Sequence, residues 1–162
     1  MSVREDGVVL PDGRPGLYGV VDKPDFALVV PREDDGSLWL VEQYRYPVGR
    51  RLWEFPQGSW PASGPAGGAE ELARAELREE TGLRAARLDH LGYLHEAPGF
   101  CSQGFDVWLA TGLVAGPPER EATEQGMRTR RVGDAELRRM VRDGELVDAA
   151  SLAAYALCAV HP

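Results

Sequence analysis

At 162 residues, with 43% hydrophobic and 27% charged side chains, the chain fits a single globular domain over 1–162, long enough to bury a core. A net charge of −8 argues against general binding to nucleic acid or an anionic membrane, while leaving room for a small anionic substrate met by a metal and a few arginines. Cys101 and Cys158 form no metal-ligand spacing and no disulfide framework, MSVREDGVVLPDG has no apolar signal segment, and no stretch reaches transmembrane length. A reduced, cytoplasmic protein is the expectation.

Residues 1–25 alternate short apolar runs with turn signals (GVVL, PDGRPG, LYGVVDKPD), which predicts a β-hairpin or meander. FALVVP, Phe26–Pro31, is a compact apolar run of the kind found in a central strand. EDDGS is a turn, and LWLVEQYRYPV alternates well enough to be the hairpin partner of that strand. In QYRYPVGRRLWEFPQG, arginines are interleaved with aromatics around Glu54. Arg45, Arg50 and Arg51 could grip a diphosphate, whose oxygens match the planar guanidinium fork, with an aromatic ring stacking a base. Equally, Trp53 and Phe55 could be core and the arginines a solvated face.

Glu54 to Leu83 reads as a strand end, a Gly/Pro-rich loop, and a helix from about Ala69 that Gly82 is placed to end. At about 100° per residue, Glu76 and Glu80 lie about 40° apart, with Glu79 about 60° to the other side of Glu76. Glu71, Arg74 and Arg78 point roughly the opposite way. Three carboxylates on one face near a helix C-terminus oppose the macrodipole and cost stability unless a cation compensates. Oxygen-only ligands suit Mg²⁺, or Mn²⁺, better than zinc. Alternatively the helix is simply a solvated, glutamate-rich surface element.

Strand-like pieces follow around Leu88–His95 and Phe105–Thr111, joined by the loop EAPGFCSQG. His90 and His95 lie on a strand without ligand spacing and read as structural histidines. Glu119, Glu121 and Glu124 fall in a loop with no apolar periodicity, and RTRRV leads into a last strand. DAELRRMVRDGEL carries Leu137, Met140 and Val141 at helical spacing before Gly144, and Asp148 can cap a second helix, AASLAAYALCAV. Strands, helix, strands, helices together predict an α+β fold with helices covering a mixed sheet.

AELREETGL, with Gly58 upstream, resembles the Nudix box, G-x5-E-x7-R-E-U-x-E-E-x-G-U, where U is a bulky aliphatic residue. The match holds at Glu76, Leu77, Glu79, Glu80, Gly82 and Leu83. It departs at the box arginine, which is Ala75, and at the upstream glutamate, which is Gly67; Gly58 also stands three positions early (61 − 58). QYRYPVG…WEFPQG is similar to the segment that precedes the box in Nudix ADP-sugar pyrophosphatases, and Pro98, sixteen residues past Gly82 (98 − 82), is similar to a proline of ADP-ribose-type members.

The resemblance implies a Nudix-type α/β/α sandwich and a metal-dependent pyrophosphohydrolase that cleaves ADP-ribose or another ADP-sugar to AMP and a sugar phosphate. It implies metal ligation by Glu76, Glu79, Glu80 and the Gln57 carbonyl, with Glu79 and a loop glutamate, Glu124 first and Glu121 second, in catalysis. It implies substrate contacts from Arg45, Arg50, Arg51, Glu54, Pro98 and Phe100. It also implies a homodimer, with the N-terminal strands at the interface. A different nucleotide specificity stays open, as does a nucleotide-binding domain that has lost efficient catalysis, which Ala75 and Gly67 would explain.

Overall fold

A computed structural model describes residues 1–60, 67–120 and 126–161. The chain opens with a hairpin of its own, β1 (Ser2–Val9) against β2 (Pro15–Asp22), turned at Leu10–Arg14. It then builds two sheets. One holds β6 (Gln57–Gly58), β3 (Phe26–Pro31), β8 (Gly104–Ala115) and β7 (Leu83–His95) in that order. In this sheet β3 runs parallel to β8 and the other pairs are antiparallel, so the sheet is mixed as expected. The other sheet is antiparallel, with β4 (Leu38–Arg45) between β5 (Arg50–Glu54) and β9 (Arg128–Val132).

Every residue of β3 is buried because both of its faces are covered. Phe26, Leu28 and Val30 enter a core shared with Leu40, Phe55, Leu137, Met140 and Ala154. Ala27 and Val29, on the opposite face, meet Leu72, Ala73 and Leu77 of α1 (Ala69–Thr81). A strand covered on both faces reads as a continuous apolar run, which is why FALVVP does not alternate. α2 (Asp134–Arg142) and α3 (Ala149–Val160) lie on the side away from α1, and the Asp148 carboxylate caps α3 by accepting from the Ser151 N–H, as expected.

One pairing differs from the sequence reading. β4 is not the hairpin partner of β3. Only a single bridge, Arg32 to Leu38, joins them across the turn, after which the chain passes into the second sheet. β8 lies along one edge of β3 from Phe26 to Pro31 and β6 pairs with Ala27 and Leu28 on the other, while β4 forms its ladders with β5 and β9 instead. β7 and β8 also extend further than the apolar pieces suggested, to 13 and 12 residues, carried by a long antiparallel ladder.

Candidate active site

α1 starts after Gly68, whose N–H donates to Glu71 Oε2 at 2.7 Å, and ends at Gly82 with φ of 76°. Leu72, Ala73 and Leu77 bind its inner face to the sheet. That anchoring turns Glu76 and Glu80 inward as well, to 8% and 2% exposure. Burying carboxylates is costly unless they are bonded or face a cation. The short strand β6 comes in beside them: the Gln57 N–H donates to Glu80 Oε2 at 3.2 Å. A Cβ on Gly58 would lie 2.4–2.5 Å from the Glu76 carboxylate atoms, so only glycine lets the backbone come so close. Gly58, at the head of the box pattern, thus leaves room for a glutamate eighteen residues on (76 − 58).

Glu79 sits further out, where Arg78 Nη2 pairs with its Oε1 at 3.2 Å. The helical wheel places Arg78 on the opposite face, but its long side chain reaches round to its neighbour and on to Glu119 at 3.1 Å. Arg74 does point away, pairing with Glu70 and donating to the Ala85 carbonyl. Ala75, where the box has arginine, is buried at 7% exposure. Positive charge at this helix end comes instead from Arg78 and from Arg120, whose Nε donates to the Glu80 carbonyl at 3.3 Å. Arg78 thus sets one cation against Glu79, and Arg120 places another at the C-terminal backbone of the helix, as the macrodipole favours.

Beside β6 opens a cleft of about 430 Å³. Its lining includes Arg45 and Leu52 of the second sheet, Gln57 and Gly58 of β6, Asp148, and residues of the β2–β3 turn and the β7–β8 loop. Arg45 does not project freely. Its Nε and Nη2 hold both oxygens of Glu54 at 3.0 and 2.8 Å, and Gln43 donates to the same carboxylate. Glu54 has no exposure, and burial raises its pKa against the opposing pull of Arg45. Asp148 links the α3 cap to β6, since its Oδ2 accepts from Ser151 Oγ at 2.7 Å and from Gln57 Nε2 at 3.3 Å. Ser151 Oγ in turn accepts from the Phe55 N–H.

The structure thus gathers Arg45, Glu54, Gln57, Glu76 and Glu80 around one corner of the fold, with Glu79 at its edge. Arg50 and Arg51 do not line the cleft; Arg51 is held by Glu42 and by the Gly126 carbonyl. Pro98 and Phe100 lie in the β7–β8 loop against β2, where the Phe100 carbonyl accepts from the Val21 N–H and the residue is 58% exposed. Glu121 and Glu124 lie outside the described residues. His90 pairs with Asp106 on the neighbouring strand, a structural role as expected. Lys23, Glu96, Gln103 and Asp148 line the cleft without having stood out as site residues in the sequence. They come from three separate turns, and nothing in local spacing marks them.

Among the described residues, no three His, Cys, Asp or Glu side chains are drawn together closely enough to enclose a cation. The donor types still fit a hard divalent ion: two buried carboxylates with the β6 backbone against them, and a third carboxylate, Glu79, further out on the same helix.

A family profile described as the NUDIX domain matches residues 22–150. The ADP-ribose pyrophosphatase of Mycobacterium tuberculosis (strain ATCC 25618 / H37Rv) is 38% identical over 161 residues, 99% of this chain and 76% of that protein. The ADP-ribose pyrophosphatase of Bacillus subtilis (strain 168) is 31% identical over 119 residues, 74% of this chain and 63% of that protein. The methanol dehydrogenase activator of Bacillus methanolicus is 27% identical over 113 residues, 70% of this chain and 60% of that protein. A crystal structure described as an ADP compounds hydrolase superposes with a TM-score of 0.83 over 96% of this chain and 83% of that one, at 23% identity, which speaks to the fold. With the matched profile, the sandwich and the box helix in agreement, this chain belongs to the Nudix family.

Proposed function

We propose that the protein is a Nudix pyrophosphohydrolase acting on ADP-sugars, with ADP-ribose the favoured substrate and AMP and a sugar phosphate as products. The observation that carries this reading is the buried pair Glu76 and Glu80, held against the β6 backbone at the edge of an open cleft. The two ADP-ribose pyrophosphatases among its relatives support the substrate class.

Glu76, Glu79, Glu80 and the Gln57 carbonyl would hold Mg²⁺, with Mn²⁺ as a substitute. When bound, such ions polarise phosphoryl oxygens and lower the pKa of bound water. The protein's own share is positioning, which phosphoryl transfer chiefly requires. β6 fixes the carboxylates, and the Arg45–Glu54 pair stiffens the cleft wall. Glu79, with Glu124 or Glu121, is the candidate for orienting the attacking water. Arg50, Arg51, Pro98 and Phe100 lie off the cleft wall of one chain, and they serve substrate only where a second protomer brings them to its own cleft. A homodimer joined through the N-terminal hairpin is part of the proposal, as is a cytoplasmic location, with which two free cysteines agree. Among the described residues no helix is long and apolar enough to cross a membrane.

The test is AMP release from ADP-ribose with Mg²⁺, beside Glu80→Gln. Turnover in the wild type and its collapse in the variant, by about 100-fold or more, is expected for a lost ligand in the reacting centre. Nucleotide binding without turnover under either metal would make the protein a binding domain, the alternative that Ala75 and Gly67 motivate.

A further inference from the structure

The chain contains eighteen cationic side chains, and all but one are arginine. The single lysine, Lys23, lines the cleft. It sits in the turn between β2 and β3, and that turn is clamped on both sides. Before it, the Val21 N–H donates to the Phe100 carbonyl and the Ser102 N–H to the Val21 carbonyl. After it, Gln103, only 3% exposed, donates from Nε2 to the Pro24 carbonyl at 2.6 Å. Asp25 accepts from the Gly104 N–H at 2.8 Å and from the Tyr93 hydroxyl at 3.0 Å. Lys23 is therefore a long, adjustable side chain on a fixed base. Its ammonium has no hydrogen bond or ion pair among the described residues.

Charge around the cleft gives that ammonium a purpose. The Arg45 charge is already matched by Glu54, and Arg51 is matched by Glu42 away from the cleft. Glu96 and Asp148 add negative charge to the lining. Among the described residues, a diphosphate entering there meets one lining cation without a protein partner, and that cation is Lys23.

Resting on the reading of this cleft as the pyrophosphohydrolase site, we propose that Lys23 is a substrate-binding residue, its ammonium pairing with diphosphate oxygens of the nucleoside diphosphate compound and setting affinity for anionic substrates. Lysine acts here as a mobile point charge, a role for which a fixed guanidinium fork is not required.

With ADP-ribose as substrate, Lys23→Ala should raise KM about 10- to 100-fold with kcat within about twofold, as for a lost charge-assisted contact made equally in ground and transition states. Lys23→Arg should restore most of the loss. The thermal midpoint should not move, because the ammonium has no partner among the described residues. An unchanged KM in Lys23→Ala would overturn the proposal. If the wild type turns over no nucleoside diphosphate compound, the pyrophosphohydrolase reading fails on its own, and amine labelling decides the fate of Lys23. Lys23 is the single lysine of the sequence, so peptide mass separates its reductive methylation from that of a terminal amine. Slower methylation of Lys23 with ADP-ribose, AMP or inorganic pyrophosphate present would keep it as an anion contact, and equal rates with all three would overturn it.

Discussion

Gly58 shows how a residue without a side chain sets the geometry of another. A methyl group there would collide with the carboxylate of Glu76 at 2.4–2.5 Å, but with no backbone atom among its nearest neighbours. A flexible carboxylate can swing away at little cost to the fold, yet it cannot do so and stay where a metal needs it. Gly58→Ala is therefore expected to change stability by about 1 kcal/mol or less while lowering turnover about 100-fold, since about 1 Å of misplacement costs that much. Thermal melting beside AMP release would check both. Glu54 shows the reverse, a side chain whose burial governs stability. Its folded pKa lies above the ordinary 4.5, chiefly through desolvation. Between 4.5 and the raised value the folded protein holds more protons than the unfolded chain, so this group's contribution to stability falls as pH rises. Urea titrations across that interval should show this slope in the wild type and a flatter profile in Glu54→Gln. Arg45→Met should steepen it and cost about 3 kcal/mol at neutral pH, the lower end for breaking a buried pair, because Arg45 itself reaches water.

Between elements, the decisive contact is the close of α1. Gly82 has φ of 76°, and its missing Cβ would lie 2.2 Å from the Gly116 carbonyl oxygen. The Gly116 N–H donates to the Gly82 carbonyl, the Glu119 N–H to the Glu79 carbonyl, and Arg120 to the Glu80 carbonyl. The segment after β8 thus caps the helix that carries the carboxylates. Gly82→Ala combines left-handed strain with a clash against backbone and should cost about 2–4 kcal/mol. Gly36→Ala, with φ of 82° but open space around it, should cost only about 1 kcal/mol, and denaturant midpoints would separate the two. The helix itself was legible in the sequence because propensity and cap are local: Ala, Leu, Glu and Arg accumulate from Ala69 and Gly82 ends it. The β3–β4 pairing was not, because two apolar runs around a tight turn look the same whether they share a sheet or pass between two. Nor were the partners of Arg45 and Arg51 certain, since a guanidinium between aromatics can hold a phosphate or a carboxylate. Glu54 and Glu42 settle these only once β4 and β5 are paired, which sets Arg45 opposite Arg50 and Glu42 opposite Trp53.

On the scale of the whole molecule, the N-terminal hairpin stands apart from the two packed sheets. It forms its own two-stranded sheet, and its base is tied to the β7–β8 loop through Val21, by Phe100 and Ser102, and through the Tyr18 hydroxyl, which donates to the Gly99 carbonyl. A two-stranded hairpin is marginal by itself in water. This one also leaves Val3, Val9 and Leu17 at 72%, 79% and 74% exposure, apolar surface that a lone protomer does not cover. A second copy of the chain is the occupant that the proposed homodimer supplies, and it would carry Phe100 and its loop to the interface, since they are fastened to β2. Sedimentation should then give the mass of two chains for the full protein and of one chain after deletion of residues 2–17. Both sheet cores lie outside the hairpin, so the truncated protein should keep its near-ultraviolet circular dichroism and a cooperative melt. A full-length chain that sediments as a monomer at micromolar concentration would remove the dimer. It would also leave Arg50, Arg51 and Phe100 without a cleft to serve, while the cleft beside Glu76 and Glu80, built within one chain, would remain.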